Sequence, residues 1–228
     1  MGFYRGPSLV SDSLSLVLDA GVSRSWTPGS SIWYDISGNG NNATVYGSPS
    51  TQDSGTRIQN IYLDGTNDYF EIATNQTSLD FRNGQTIGIL MYHTFTSGRR
   101  NPWDQAYGGY GTWTHEQGAN INYYYGSAGA NANPYTALNS STTPTSTWSY
   151  MVVTRTPLLI TWYRNGSQVA QQSNAYAPMP ITSANIRIGV GYTGVYWIGN
   201  MALVHAYNRG LTSAEVLQNY NVVKARFT

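Results

Sequence analysis

Two carboxylates facing each other across a sugar are the minimum equipment for ordinary glycoside hydrolysis. The chain offers three glutamates for that task, Glu71, Glu116 and Glu215. They lie in unrelated segments, and no Glu-x-Asp-x-Glu pattern puts two acids on one face of a strand. Glu215 is already engaged, because Thr212 stands three residues before it in the arrangement of a helix capping box. The three histidines, His93, His115 and His205, are equally scattered, and none has the short ligand spacing of a zinc site. His93 and His205 fall inside strand-like segments and are expected to be hydrogen-bonded sandwich residues. There is no Gly-x-Ser-x-Gly elbow and no phosphate loop, and the absence of cysteine removes disulfides and thiolate chemistry together. The expectation is a protein that is not an enzyme and has no obligatory cofactor.

Calcium needs a separate look. The stretch DISGNGNN, residues 35–42, is dense in glycine and asparagine, and Asp64 and Asp68 lie in a similar turn. Hard cations take carboxylate and carbonyl oxygens, so Asp35, Asp64 and Asp68 are the calcium candidates. The competing reading is that each aspartate bonds its own backbone in an Asx turn. The order of ligands in an EF-hand is absent. A phosphate cradle is excluded, because no helix pattern follows the loop to offer its N-terminus.

The elements that must position these residues are mostly strands. Period-two alternation with β-branched and aromatic residues recurs, punctuated by turn dipeptides. LSLVLDA (14–20) is the first clear strand, and NIYLDGTNDYFEIA (60–73) reads as two strands broken at Asp64-Gly65. QTIGILMYHTF (85–95), TWSYMVVTR (147–155) and LLITWYRNGSQVAQ (158–171) follow, the last with Asn165-Gly166 as a hairpin turn of positive φ. ANIRIGVGY (184–192) places Ile186, Ile188, Val190 and Tyr192 on one face. WIGNMALVHAYN (197–208) is apolar on both faces, which predicts a central or covered strand. One helix is well signalled, over 211–227, with Val216, Leu217, Tyr220 and Val223 as its buried stripe. Residues 101–144 are rich in Gly, Asn, Ala and Tyr, and long loops are expected there, with short strands near 111–116 and 121–125. Trp103, Tyr107, Tyr110, Trp113, Tyr123, Tyr124 and Tyr125 lie in that stretch. On loops they would stack on sugar rings or contact a partner; the alternative is that several are core or subunit-interface aromatics.

Composition narrows the class. Of 228 residues, 40% are hydrophobic, enough for a core, while charged residues are only 10% against roughly 25% in ordinary soluble domains. The surface is therefore covered by Ser, Thr, Asn, Gln, Gly and Tyr, with 19 Tyr and 7 Trp in the chain. Such surfaces are common in extracellular β-proteins, virion proteins and sugar binders. A net charge of +1 gives no electrostatic case for nucleic acid or an anionic membrane. No window approaches the ~18 apolar residues that span a bilayer, and the opening MGFYRGPSLVSDS has no apolar core of a secretory signal. The expectation is one domain over 13–228, preceded by an arm over 1–12.

Several segments together carry a resemblance. LSLVLDAGVSRSW, WYDISGNGNNATVYGSP, YLDGTNDYFEIA, ITWYRNGSQV and MALVHAYNRGLTSAEVLQNYNVVKARF occur in that order. They resemble the concanavalin A-like lectin/glucanase superfamily in its laminin-G-like form, over nearly the whole chain except 96–140. The variety with an opening like RGPSLVSDSLSLVLDAG is typical of structural proteins of tailed bacteriophages. The resemblance implies an all-β fold, a jelly-roll sandwich of two antiparallel sheets with one short C-terminal α-helix. It also implies that DISGNGNN is a structural connection. Some relatives hold calcium at a loop rim, but no complete ligand set can be matched here, and the paired acids of the glucanases are missing.

The resemblance and composition together point to a non-enzymatic virion protein on the exterior of a particle, as a capsid decoration protein or a tail or fibre subunit. Its partners would be other virion proteins, with a homo-oligomer, a trimer by analogy, as the first expectation. Phe3, Tyr4 and Arg5 in the N-terminal arm are the candidate anchor. The alternative, compatible with the first, is an adhesin or lectin that binds a host glycan through the aromatic stretch. A glycan hydrolase is the remote third.

Overall fold

The computed structural model describes residues 8–53, 59–74, 77–105, 110–116, 120–124, 135–138, 143–173, 178–179, 182–191 and 193–226. Phe3, Tyr4, Arg5, Tyr107, Tyr125 and Tyr192 lie outside them. Short alternating segments cannot satisfy their backbone alone, so they pair, and two sheets result. With strands numbered along the chain, the first sheet holds β1 (Leu14–Asp19), β4 (Ser50–Asp53), β5 (Gln59–Asp64) and β7 (Gln85–Tyr92). It is completed by β12 (Ser149–Arg155), β13 (Leu159–Arg164), β14 (Ser167–Ser173) and β16 (Ile198–Tyr207). The second sheet holds β2 (Ile32–Trp33), β3 (Ala43–Tyr46), β6 (Tyr69–Ile72) and β8 (Arg100–Gln105). Its other strands are β9 (Thr112–Glu116), β10 (Asn120–Tyr124), β11 (Tyr135–Leu138) and β15 (Ile186–Ile188).

The order is β14-β13-β12-β7-β16-β5-β4 in the first sheet, with β1 also on β16, and β11-β10-β9-β8-β15-β6-β3-β2 in the second. Every strand pair in both sheets is antiparallel. This is the expected sandwich. β16 is central, as its two-sided apolar pattern predicts, with β7 on one edge and β1 and β5 sharing the other. The run expected to be long loops with short strands near 111–116 and 121–125 contains those two, β9 and β10, and two more, β8 and β11. Its Gly and Asn lower strand propensity, but the aromatic residues between them supply the buried face that decides the outcome.

The main core lies between the sheets, where Leu16, Leu18, Ile87 and Ile89 of one meet Phe70, Ile72, Ile186 and Ile188 of the other. A second apolar layer covers the outer face of the first sheet: Leu90, Tyr150, Val152, Leu203 and Tyr207 lie under helix α1 (Ser213–Val223). The helix starts at the expected capping box, with Thr212 and Glu215 satisfying each other's backbone N–H groups. Its buried residues are Val216, Asn219 and Val223, while Leu217, expected in the stripe, is exposed. An asparagine takes the place of an apolar residue because its side chain is partnered at both ends. Its Oδ1 accepts from the Val10 N–H at 2.8 Å, and its Nδ2 donates to the Tyr207 hydroxyl at 3.0 Å. That hydroxyl donates in turn to the Val10 carbonyl at 3.0 Å, and Gln218 Nε2 donates to the Ser8 carbonyl at 3.0 Å. Residues 8–12 are thereby fastened to their own domain, and Arg209 adds an ion pair to Asp12 at 2.9 Å.

The hairpin at Asn165-Gly166 is as expected, with φ of 50° and 78°. The asparagine also accepts from the Tyr150 N–H at 2.9 Å, tying the turn to the neighbouring strand.

Candidate ligand-binding face

The expected aromatic residues are placed by strand parity. Along β8 and β9, Asp104, Thr112 and Thr114 alternate with Trp103, Trp113 and His115, and the second set points between the sheets. Trp103 and Trp113 are wholly buried, the latter with its ring 5.0 Å from that of Trp162. Tyr123 is buried too, its hydroxyl donating to Gln85 Oε1 at 2.5 Å. Tyr124 is buried on the outer side, with the Arg99 guanidinium 5.3 Å over its ring, and Tyr110 packs half-buried against the core. The expectation of a stacking platform made by these residues is corrected accordingly: their ring faces are spent on packing, and none of Trp103, Trp113, Tyr123 and Tyr124 offers one to solvent.

The calcium candidates are likewise engaged. Asp35 Oδ1 accepts from the N–H groups of Val17 and Ser37, both at 2.9 Å. Its Oδ2 accepts from the Ser37 hydroxyl at 2.8 Å and the Asn41 N–H at 3.0 Å. Asp64 accepts from the Thr66 N–H at 2.8 Å, and Asp68 from those of Ser48 at 2.7 Å and Asp64 at 3.2 Å. Asp35 and Asp64 form Asx turns with Ser37 and Thr66, Asp68 ties two backbone segments together, and no group of three or more metal-ligating side chains occurs among the described residues. The DISGNGNN loop runs along the edge of β1 that β16 leaves open. Ile36 N–H, Asn39 Nδ2 and Asn41 Nδ2 donate to the carbonyls of Val17, Leu14 and Ser15 at 2.9, 2.8 and 2.7 Å. It is a strand-edge cover.

The two glutamates whose side chains are described do not share one centre either. Glu71 is on the outer face of the second sheet, whereas Glu215 lies on the helix over the first, bound to Arg209 at 2.7 Å. That guanidinium, with help from Thr212, holds the Glu215 carboxyl down at about 2. His93 and His115, remote in sequence, meet in the core with ring centroids 5.5 Å apart, walled by Phe95 and Trp197. Burial lowers His93 to about 4, and pushes His115 well below the usual range with the neighbouring His93 adding to it. His205 lies under the helix, its Nε2 2.6 Å from the Tyr150 hydroxyl, lowered by burial to about 3.

Among the described residues, paired aromatic rings reach solvent on the outer face of the second sheet at β3, β6 and β15. The alternation Tyr69-Phe70-Glu71-Ile72 sends Phe70 and Ile72 inward and Tyr69 and Glu71 outward, and β3 does the same with Val45 and Tyr46. Tyr46 and Tyr69 are direct cross-strand partners, and their rings stack with centroids 4.5 Å apart and planes 2° from parallel. Tyr46 is 39% exposed, and Tyr196 extends the cluster with its ring 6.3 Å from Tyr69. Gly47, at φ 77°, turns the chain away directly after Tyr46, and a side chain there would meet the Asp68 carboxylate. Beside the rings, Arg187 Nε donates to Glu71 Oε2 at 2.9 Å, and Asn185 Nδ2 to Glu71 Oε1 at 3.1 Å. Asp104 is the register partner of Arg187 on the other side, and its charge acts on it. Burial, then Glu71 and Tyr46, raise the Tyr69 hydroxyl, so it stays protonated and able to donate. The chemistry on offer is therefore flat aromatic surface bordered by fixed polar groups on a rigid sheet. The period-two signal for it was in YFEIA and ATVYG, where tyrosine alternates with core residues.

A laminin-G-type family model matches residues 64–217, which includes β6, β15, the central β16 and part of the helix. The chain belongs to the concanavalin A-like lectin/glucanases superfamily. Solved structures with the fold of this superfamily member include the receptor binding domain of botulinum neurotoxin C/D mosaic serotype, with a TM-score of 0.71 at 12% identity. The binding domain of botulinum neurotoxin DC in complex with SialylT gives 0.70 at 11%. Each match covers 93% of this chain, which spans 52% of the toxin domain. The Trypanosoma rangeli sialidase in complex with sialic acid gives 0.67 at 14% identity, over 96% of this chain and 34% of the sialidase. At these identities the likeness describes the fold alone. No curated protein matches this superfamily member by sequence.

Proposed function

We propose that this chain is a non-enzymatic surface protein of a tailed-bacteriophage particle that holds a glycan on the open face of its second sheet. The observation that carries the binding role is the solvent-facing Tyr46–Tyr69 stack, bordered by Glu71, Arg187 and Asn185. Sugar rings offer a C–H face to aromatic rings and hydroxyls to the polar rim, and a site on paired strands is held rigid without ligand. The particle setting is supported by the resemblance of the opening and closing segments to phage structural proteins and by the sparsely charged surface. The similar toxin domain in complex with SialylT and the sialidase in complex with sialic acid agree with a fold that serves sugar recognition. The non-enzymatic part is supported by the separation of Glu71 from Glu215 on opposite sides of the sandwich.

A glycan array probed with the purified chain tests the binding role. Tyr46→Ala is expected to abolish the strongest signals while the melting temperature stays within about 2 °C, as for a surface substitution. Sugar release that depends on Glu71 would overturn the non-enzymatic part. For assembly, light scattering on the full chain and on a version lacking residues 1–7 is expected to show a trimer that needs the arm. A monomer in both leaves docking on a shell as the route to the particle. Removal stops at residue 7 because Ser8 and Val10 are hydrogen-bonded into the domain.

A further inference from the structure

We infer that the open face is a selector for neutral glycans and rejects those that carry a carboxylate. The inference rests on the glycan-binding reading above and adds the class of ligand to it. An acidic sugar is recognised by a guanidinium or ammonium with donors to spare, most strongly through a two-pronged contact. Among the described residues the cation beside the tyrosines is Arg187, bound on one side and faced by a second carboxylate on the other. Its Nε is bound to Glu71 at 2.9 Å, and Asp104 stands directly across from it in the strand pairing. Neither carboxylate is idle. Glu71 also accepts from Asn185 at 3.1 Å, and Asp104 Oδ1 accepts from the Thr112 hydroxyl at 3.3 Å.

Two carboxylates therefore stand against one guanidinium at the edge of the stack. A third carboxylate could reach only the Nη edge of Arg187, and there it would lie close to Glu71 and Asp104, whose like charges oppose binding. A neutral pyranoside meets no such conflict. Its C–H face lies on Tyr46, and its hydroxyls exchange hydrogen bonds with the Tyr69 hydroxyl, Asn185 and the outer lone pairs of Glu71. The sialic acid in the similar sialidase structure is thus no guide to the ligand of this face.

The test uses the full chain and paired oligosaccharides that differ by one acid group, lactose against sialyllactose and cellobiose against cellobiuronic acid, beside a broad printed array. The neutral member of a pair is expected to bind at least roughly tenfold tighter, the step in affinity that a single charge-assisted hydrogen bond can set. Glu71→Gln keeps the shape and the Asn185 contact but relieves Arg187 of its charge partner, and is expected to narrow that ratio by about tenfold. As a measurement that needs no variant, salt is expected to strengthen binding of the acidic member towards that of the neutral one, by screening the repulsion. Wild-type preference for the acidic members, or a ratio unmoved by both Glu71→Gln and salt, would overturn this inference and leave glycan binding standing. Absence of binding to any glycan, neutral or acidic, would overturn both.

Discussion

At the scale of the residue, parity along a strand decides what an aromatic ring is for. Trp113 and Tyr46 are both flat and both follow a β-branched residue in a short strand, yet one is wholly buried and the other is 39% exposed. Trp113→Ala is expected to cost about 3–5 kcal/mol of stability, because it removes a packed indole and leaves a cavity. Tyr46→Ala is expected to cost less than about 1 kcal/mol and to act on binding instead. Denaturant midpoints and glycan binding measured on both variants separate the two roles. Asn219 is the polar counterpart. Asn219→Ala strands the buried Val10 N–H and removes a partner of the Tyr207 hydroxyl, so a loss of about 2–3 kcal/mol is expected by urea unfolding. That asparagine was not legible in the sequence as a core residue, since the N–H it accepts from lies 209 residues away in the chain. The short strand that carries Trp113 was legible from the polar-aromatic alternation of Thr112-Trp113-Thr114-His115, but the sheet that buries its aromatic side is set by the fold.

At the scale of the element, turn chemistry and period-two alternation were the dependable signals. The capping box, the Asn165-Gly166 turn and the covered strand β16 could all be read because each depends on neighbours a few residues apart. The open face could not be, because Tyr46, Glu71 and Arg187 are brought together only by the order β15-β6-β3. The DISGNGNN loop shows the same division. Its role as architecture is legible in its residue types, but its target, the edge of β1, is set by the fold. Asp35→Ala would leave the donors of Val17, Ser37 and Asn41 without their shared acceptor, and a loss of about 2–4 kcal/mol is expected. Added calcium or a chelator is expected to leave the melting temperature of the wild type unchanged, because both oxygens of Asp35 are already occupied. A calcium-dependent rise would show that the loop is a metal site after all.

At the scale of the whole molecule, three neutral histidines are built into the interior. The unfolded chain takes up a proton at each near pH 6.5, whereas the folded protein holds off until about 4 at His93 and about 3 at His205. The unfolded state therefore binds more protons between those values, and stability falls as pH falls through 6.5, by up to about 1.4 kcal/mol per pH unit for each histidine. Glu215 adds to the loss lower down, from its ordinary 4.5 towards about 2, as its carboxylate is protonated away from Arg209. Melting curves from about pH 8 to pH 4 are expected to show a steady decline from near pH 6.5; a flat profile would contradict the neutral, buried state of the imidazoles. The same architecture has a practical orientation. Ser8 and helix α1 both sit on the covered outer side of the first sheet, while the tyrosine stack is on the far side of the second. Anything tethered at Ser8 or at the end of helix α1 is carried on the back of the sandwich, so a sensor chip loaded that way displays the tyrosine stack outward, as a rubber stamp held by its handle meets the paper.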